Sequence, residues 1–108
     1  MQPTLFDSPK SAVSINDVIL YALGEFQARG HVLADRELAL DRLHGAFVRA
    51  GEKFGALDLS DNEAATLLRK LGASVIEIPE YFAKRPFRIT VPAELTEEAR
   101  NTYHQLNG

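Results

Sequence analysis

Hydrophobic positions recur at helical spacing in three successive blocks, switch to alternation after Gly72, and return to helical spacing near the C-terminus. Ile15, Val18, Ile19, Ala22, Leu23 and Phe26 stand at i, i+3, i+4, i+7, i+8 and i+11, one face of an amphipathic helix. Ser14 with Asp17 resembles a capping box at its start. Gly30 supplies the stop, because glycine enters the left-handed cap conformation without steric cost. Residues 31–34 (HVLA) read as a short extended segment. Asp35 then caps a second helix running to about residue 50, with Leu38, Leu40, Leu43, Ala46, Phe47 and Ala50 on a wide apolar face and Gly51 closing it.

Residues 51–59 contain two glycines and read as a loop pinned by Phe54, Leu57 and Leu59. A third helix follows. Ser60 and Glu63 form its capping box, Ala64, Leu67, Leu68 and Leu71 line one face, and Gly72 ends it. The period then falls to two. Val75 and Glu77 alternate with Ile76 and Ile78; further on, Phe87, Ile89 and Val91 point inward with Arg88 and Thr90 outward. Pro79 and Pro86 bracket the connection between these strands, which is too long for a tight turn. A last helix runs from Thr96 to about Leu106, with Leu95, Ala99, Tyr103 and Leu106 facing inward.

The order is helix, short strand, helix, helix, two-stranded hairpin, helix. Over roughly residues 14–92 this topology resembles the winged-helix fold. The expectation is therefore an α+β, winged-helix-like domain at 14–108, with three to four helices, a two- or three-stranded antiparallel sheet, and an extended tail or arm at 1–13. Residues 31–34 would supply the third strand. The resemblance implies that the third helix enters a DNA groove while the hairpin touches the backbone. The loop at 51–59 departs from it, since a helix-turn-helix joint is usually about three or four residues.

Composition narrows the classes. The chain has 108 residues, enough for one domain with one modest core. No apolar run approaches the roughly 18 residues that span a bilayer, and no apolar signal core follows the N-terminus. Cysteine is absent, which removes disulfides, thiol catalysis and thiolate metal sites. A cytoplasmic protein is expected. Twelve Lys and Arg against fifteen Asp and Glu leave a net charge of −3, so any contact with nucleic acid must come from a local patch.

Helix three offers Arg69 and Lys70, with Asn62 and Thr66 beside them. Asp61 and Glu63 occupy its first turn, where they complement the helix dipole. The hairpin tip holds Lys84, Arg85 and Arg88 among Tyr81, Phe82 and Phe87, with no acid. Cations neutralise phosphates while an exposed aromatic wedges or stacks, which gives salt-sensitive affinity without sequence reading. Arg69, Lys70, Lys84, Arg85 and Arg88 are thus the expected nucleic-acid contacts.

His31, His44 and His104 have no ligand spacing, and Asp35, Glu37 and Asp41 are spaced like a solvated helix face. No phosphate loop, nucleophile elbow or metalloprotease helix occurs. No enzyme activity, metal or cofactor is expected.

The tail carries one short motif. Gln2-Pro3-Thr4-Leu5-Phe6 is similar to the Q-x-x-L-F peptide with which bacterial replication and repair proteins hold the sliding clamp of DNA polymerase. The preferred form has Leu second and Ser or Asp third, where this chain has Pro3 and Thr4. The resemblance implies that the Gln2 amide hydrogen-bonds in one sub-pocket and that Leu5 and Phe6 fill an apolar one. Pro3 restricts the peptide to extended geometry and lowers its ordering cost. Three kinds of partner follow: DNA at the hairpin tip, a clamp or other protein at residues 2–6, and a second copy of the chain through the arm and last helix.

Overall fold

Ser14 accepts a hydrogen bond from the Asp17 amide (3.1 Å) and starts α1, Ile15–Ala28, in the computed structural model, which describes residues 14–55, 60–79 and 87–107. After α1 come β1 (Glu37–Ala39), a 3-10 turn (Leu40–Leu43), α2 (His44–Phe54), α3 (Asp61–Leu71), β2 (Ser74–Glu77), β3 (Phe87–Thr90) and α4 (Ala93–Asn107). The three strands form one antiparallel sheet in the order β1-β3-β2. The fold is α+β and winged-helix-like: α3 leads directly into the β2–β3 hairpin, and β1 pairs with the hairpin's second strand.

The element at the centre is α1. Every residue from Val18 to Gly24 is buried, as is Phe26, so the helix is covered on more sides than one amphipathic stripe requires. It packs against α2, α3 and, most extensively, α4. Leu95 and Ala99 of α4 are buried, and Tyr103 and Leu106 pack half-buried against the same core. Ile19, Leu23, Leu33, Leu43, Leu68, Ile89 and Val91 are the largest fully buried side chains, joining both helix layers to the sheet.

Three sequence expectations are corrected. Residues 31–34 form no strand of the sheet; only Ala34 makes an isolated parallel bridge, to Val91. The third strand is β1, inside the segment expected to open the second helix. Leu38 and Leu40 stand at i and i+2, the alternation of a strand, and both are buried. Asp35 decides between strand and helix. Its φ of 57° is left-handed, whereas an N-cap residue needs extended backbone. Asp tolerates that region better than most residues, and the Asp35 amide is held by the Val91 carbonyl at 2.8 Å.

The second correction follows from the first. α2 starts at His44, with the 3-10 turn delivering Leu40 and Leu43 to the core. It continues through Gly51 to Phe54, where Gly55 takes the left-handed conformation (φ 70°). The joint to α3 therefore shortens to residues 55–60, nearer to that of a helix-turn-helix. α4 also begins earlier than expected, at Ala93, because the Pro92 carbonyl accepts from the Leu95 and Thr96 amides. Thr96 is buried and donates its hydroxyl to the Ala93 carbonyl at 2.6 Å.

α1 and α4 approach most closely at Gly24. A Cβ there would overlap that of Tyr103 and lie 2.5 Å from the Ala99 carbonyl oxygen. Helix propensity favours Gly24→Ala by about 1 kcal/mol, but overpacking against a backbone atom costs about 1–3 kcal/mol and no rotamer change relieves it. Gly24→Ala is expected to lose stability on urea unfolding followed by circular dichroism. A variant as stable as the parent would mean that the helices are not this close.

Candidate nucleic-acid interface

α3 is fixed at both ends by hydrogen bonds. The Ser60 hydroxyl accepts from the Glu63 amide (3.2 Å) and the Glu63 carboxylate accepts from the Ser60 amide (2.9 Å), a complete capping box. At the other end Gly72 has φ 114°, its amide donates to the Arg69 carbonyl, and the Ala73 amide donates to the Leu68 carbonyl at 2.9 Å. This is a Schellman turn, and it sets Ala73 and Leu68 together in the core. The helix and the strand that follows are therefore held at a defined angle.

Ala64, Ala65 and Leu68 are the buried side of α3. Asn62, Thr66, Arg69 and Lys70 form its exposed stripe, with the Thr66 hydroxyl bonded to the Asn62 carbonyl (2.9 Å). Both acids of the first turn, Asp61 and Glu63, are exposed, and they stand at the opposite end of the helix from Arg69 and Lys70. Glu63 is engaged in the cap; the Ser60 backbone hydrogen bond, with a smaller contribution from the Ser60 hydroxyl, holds its carboxyl below the usual range.

Sheet register separates the remaining candidates. Ser74, Thr90 and Glu37 lie side by side in one row. The chain reaches that row from Arg69 and Lys70 through Gly72, so both stand where β2 begins. The hairpin connection leaves from the other end, after the Glu77–Phe87 pair. Lys84 and Arg85 fall in that connection, outside the described residues. Arg88 lies between Ala39 and Ile76 on the central strand, and it alternates with buried Phe87 and Ile89. Its side chain therefore belongs to the outer face of the sheet, away from α3. The Arg88 Nε is buried and meets no hydrogen-bond acceptor, a position that ordinarily calls for one. Of the five expected contacts, the structure brings Arg69 and Lys70 together and sets Arg88 apart from them. Gln2, Leu5 and Phe6 also lie outside the described residues.

The histidines are dispersed: His31 stacks on Phe26 (4.6 Å between ring centroids), His44 opens α2, and His104 sits 5.7 Å from the Tyr103 ring. Among the described residues no group of three or more His, Asp or Glu is placed to hold a metal ion. No helix among them is long and apolar enough to cross a membrane. Sequence reasoning missed a second group of cations. Arg36 and Arg42 flank β1 and its 3-10 turn, and had been absorbed into the expected second helix; only the switch to alternation at Leu38 and Leu40 pointed elsewhere. Comparison with protein-family models, with curated proteins and with solved structures returned no match to this chain.

The cap makes a pH-dependent contribution with a definite sign. A carboxyl held below its ordinary value stabilises the fold fully above the unfolded pKa, about 4.3, and loses that contribution as pH falls through the lowered folded value. Glu63→Gln should therefore melt below the parent at neutral pH, and the gap should close on acidification past that range. A gap that widened in acid would contradict the assignment.

Proposed function

We propose that this chain is a non-enzymatic, DNA-associated protein that approaches the duplex with α3 and the β2–β3 hairpin. The observation that carries the reading is the exposed stripe Asn62, Thr66, Arg69 and Lys70 on the helix immediately before that hairpin. Asp61 and Glu63 complement the helix dipole at the other end of α3 from Arg69 and Lys70, so the phosphate contact falls on the last turn. Arg69 and Lys70 would contact phosphate, joined by Lys84 and Arg85 from the hairpin connection. Arg88, on the outer face of the sheet with its Nε buried, stands apart from this surface. The phosphate contacts are to the DNA backbone, so they confer position and affinity rather than base discrimination.

Anisotropy of a labelled duplex, titrated with the full chain at several salt concentrations, tests this. Each phosphate neutralised contributes about −0.9 to the slope of log K against log salt, so Arg69, Lys70, Lys84 and Arg85 set a limit near −3.6. Arg69→Ala/Lys70→Ala should reduce the slope by roughly 2 and weaken binding to all sequences alike. No binding at low salt, or binding indifferent to salt, would end this reading.

The QPTLF peptide supports a second reading, in which Gln2, Leu5 and Phe6 dock on a sliding clamp or another protein and the folded domain is the cargo. Calorimetry of the full chain against a bacterial clamp should show binding that Leu5→Ala/Phe6→Ala abolishes. Equal binding by both chains, or by neither, excludes that peptide as the anchor.

A further inference from the structure

Two concavities flank the segment that joins α1 to the sheet. One, of about 470 Å³, opens between the C-terminal half of α1 and α4. Gln27, His31, Thr96, Arg100, Tyr103 and His104 supply its polar and ring groups, and no described residue in its wall is acidic. The other, of about 230 Å³, is walled by Phe26, His31, Arg36, Glu37, Leu38 and Arg42. Gly30, His31 and Val32 belong to both, so the two meet at residues 30–32.

The charge of this joint runs against that of the chain. In a protein of net charge −3, its walls hold three arginines and two histidines against the carboxylate of Glu37, with that of Glu97 bonded to Arg100. Arg36 and Arg42 are exposed and make no ion pair among the described residues, whose pairs involve Arg29, Arg49 and Arg100. Arg100 is bonded to Glu97 through one nitrogen (2.9 Å), but both side chains are largely exposed, so the pair is weak. Free guanidinium forks match phosphate and carboxylate geometry.

The larger concavity also offers rings. His31 lies nearly parallel to Phe26, at 22°, which fixes its imidazole plane and covers one face. Tyr103, held by Tyr21 at 5.0 Å, forms part of the same wall. Its volume is within the range of about 300–1,000 Å³ typical of small-molecule sites.

We propose that this joint binds a small phosphorylated molecule carrying a planar ring, of the nucleotide class, with the phosphate against Arg36 and Arg42 and the ring in the larger concavity beside Tyr103. The site is separate from the α3 stripe. It goes beyond the reading given above and does not depend on it.

Amide spectra of the isotopically labelled full chain, titrated separately with AMP, adenosine, inorganic phosphate and a short duplex, test the assignment. AMP is expected to give saturable shifts at residues 30–36 and 100–104, with adenosine and phosphate each weaker by about tenfold or more. In Arg36→Gln/Arg42→Gln, AMP should bind no better than adenosine, with the rest of the spectrum unchanged. If that variant fails to fold, the AMP, adenosine and phosphate comparison on the parent still decides. Absence of saturable shifts at millimolar AMP, shifts elsewhere, or undiminished affinity in the variant would overturn the proposal. Shifts of these amides by the duplex but not by AMP would overturn it too, assigning the joint to a nucleic-acid backbone.

Discussion

The close crossing of α1 and α4 at Gly24 is the contact on which the rest of the arrangement depends. With no side chain at Gly24, the Ala99 backbone comes against α1, and the side of α1 that carries Tyr21 is covered as well. Tyr21 then organises its surroundings: Phe54 meets its ring edge-on at 5.0 Å and Tyr103 lies at the same distance. Phe54 is the last residue of α2, so one aromatic cluster ties the ends of two helices to the middle of the first. Burial, followed by the neighbouring Tyr103 and Glu25, raises the Tyr21 phenol above its ordinary pKa. Arg49 of α2 bonds Glu25 of α1 at 2.8 Å and ties the same pair of helices from the half-exposed side. Once α1 is fixed among α2, α3 and α4, the sheet has one apolar layer to cover.

How much of this was legible in the sequence depends on whether the cause was local. Ser14, Ser60, Glu63, Gly30 and Gly72 mark helix ends through bonds made within a few residues, and all five act as their spacing indicates. β1 was not legible, because a run of three residues between Arg36 and a helical Leu40–Leu43 spacing is too short to fix a period, and its pairing is made by β3, about fifty residues away. Gly51 and Gly55 pose the same problem on a smaller scale. Either glycine is able to end α2, and the packing of Phe54 on Tyr21 selects the second. The full burial of α1 was hidden for the same reason, since the helix that covers its second side lies at the far end of the chain.

The site divides along the same line. Arg69 and Lys70 are adjacent in sequence and remain together in space. Arg88 belonged with Lys84 and Arg85 by sequence, but strand alternation places it on the outer face of the sheet, opposite the helices. The cluster of Arg36, Arg42, Arg100, His31 and His104 drew no attention, because its members are spread over two elements and the segment before β1. Only the pairing of β1 with β3 and the packing of α4 on α1 bring them to one joint.

Charge then sets what kind of contact such surfaces favour. At a net −3 the chain repels a polyanion at long range, and salt screens that repulsion beyond roughly 8–10 Å. Attraction has to be short-ranged, from cations that reach the anion within a hydrogen bond. On α3 two cations project from an exposed helix, a geometry that follows a continuous phosphate ridge and weakens as salt replaces each contact. At the α1–sheet joint the cations line concave walls beside ordered rings. There one compact anion meets several donors at once, while an extended duplex would leave most of them unreached. The same residue types therefore favour different partners on the two surfaces, through curvature and not through the number of charges.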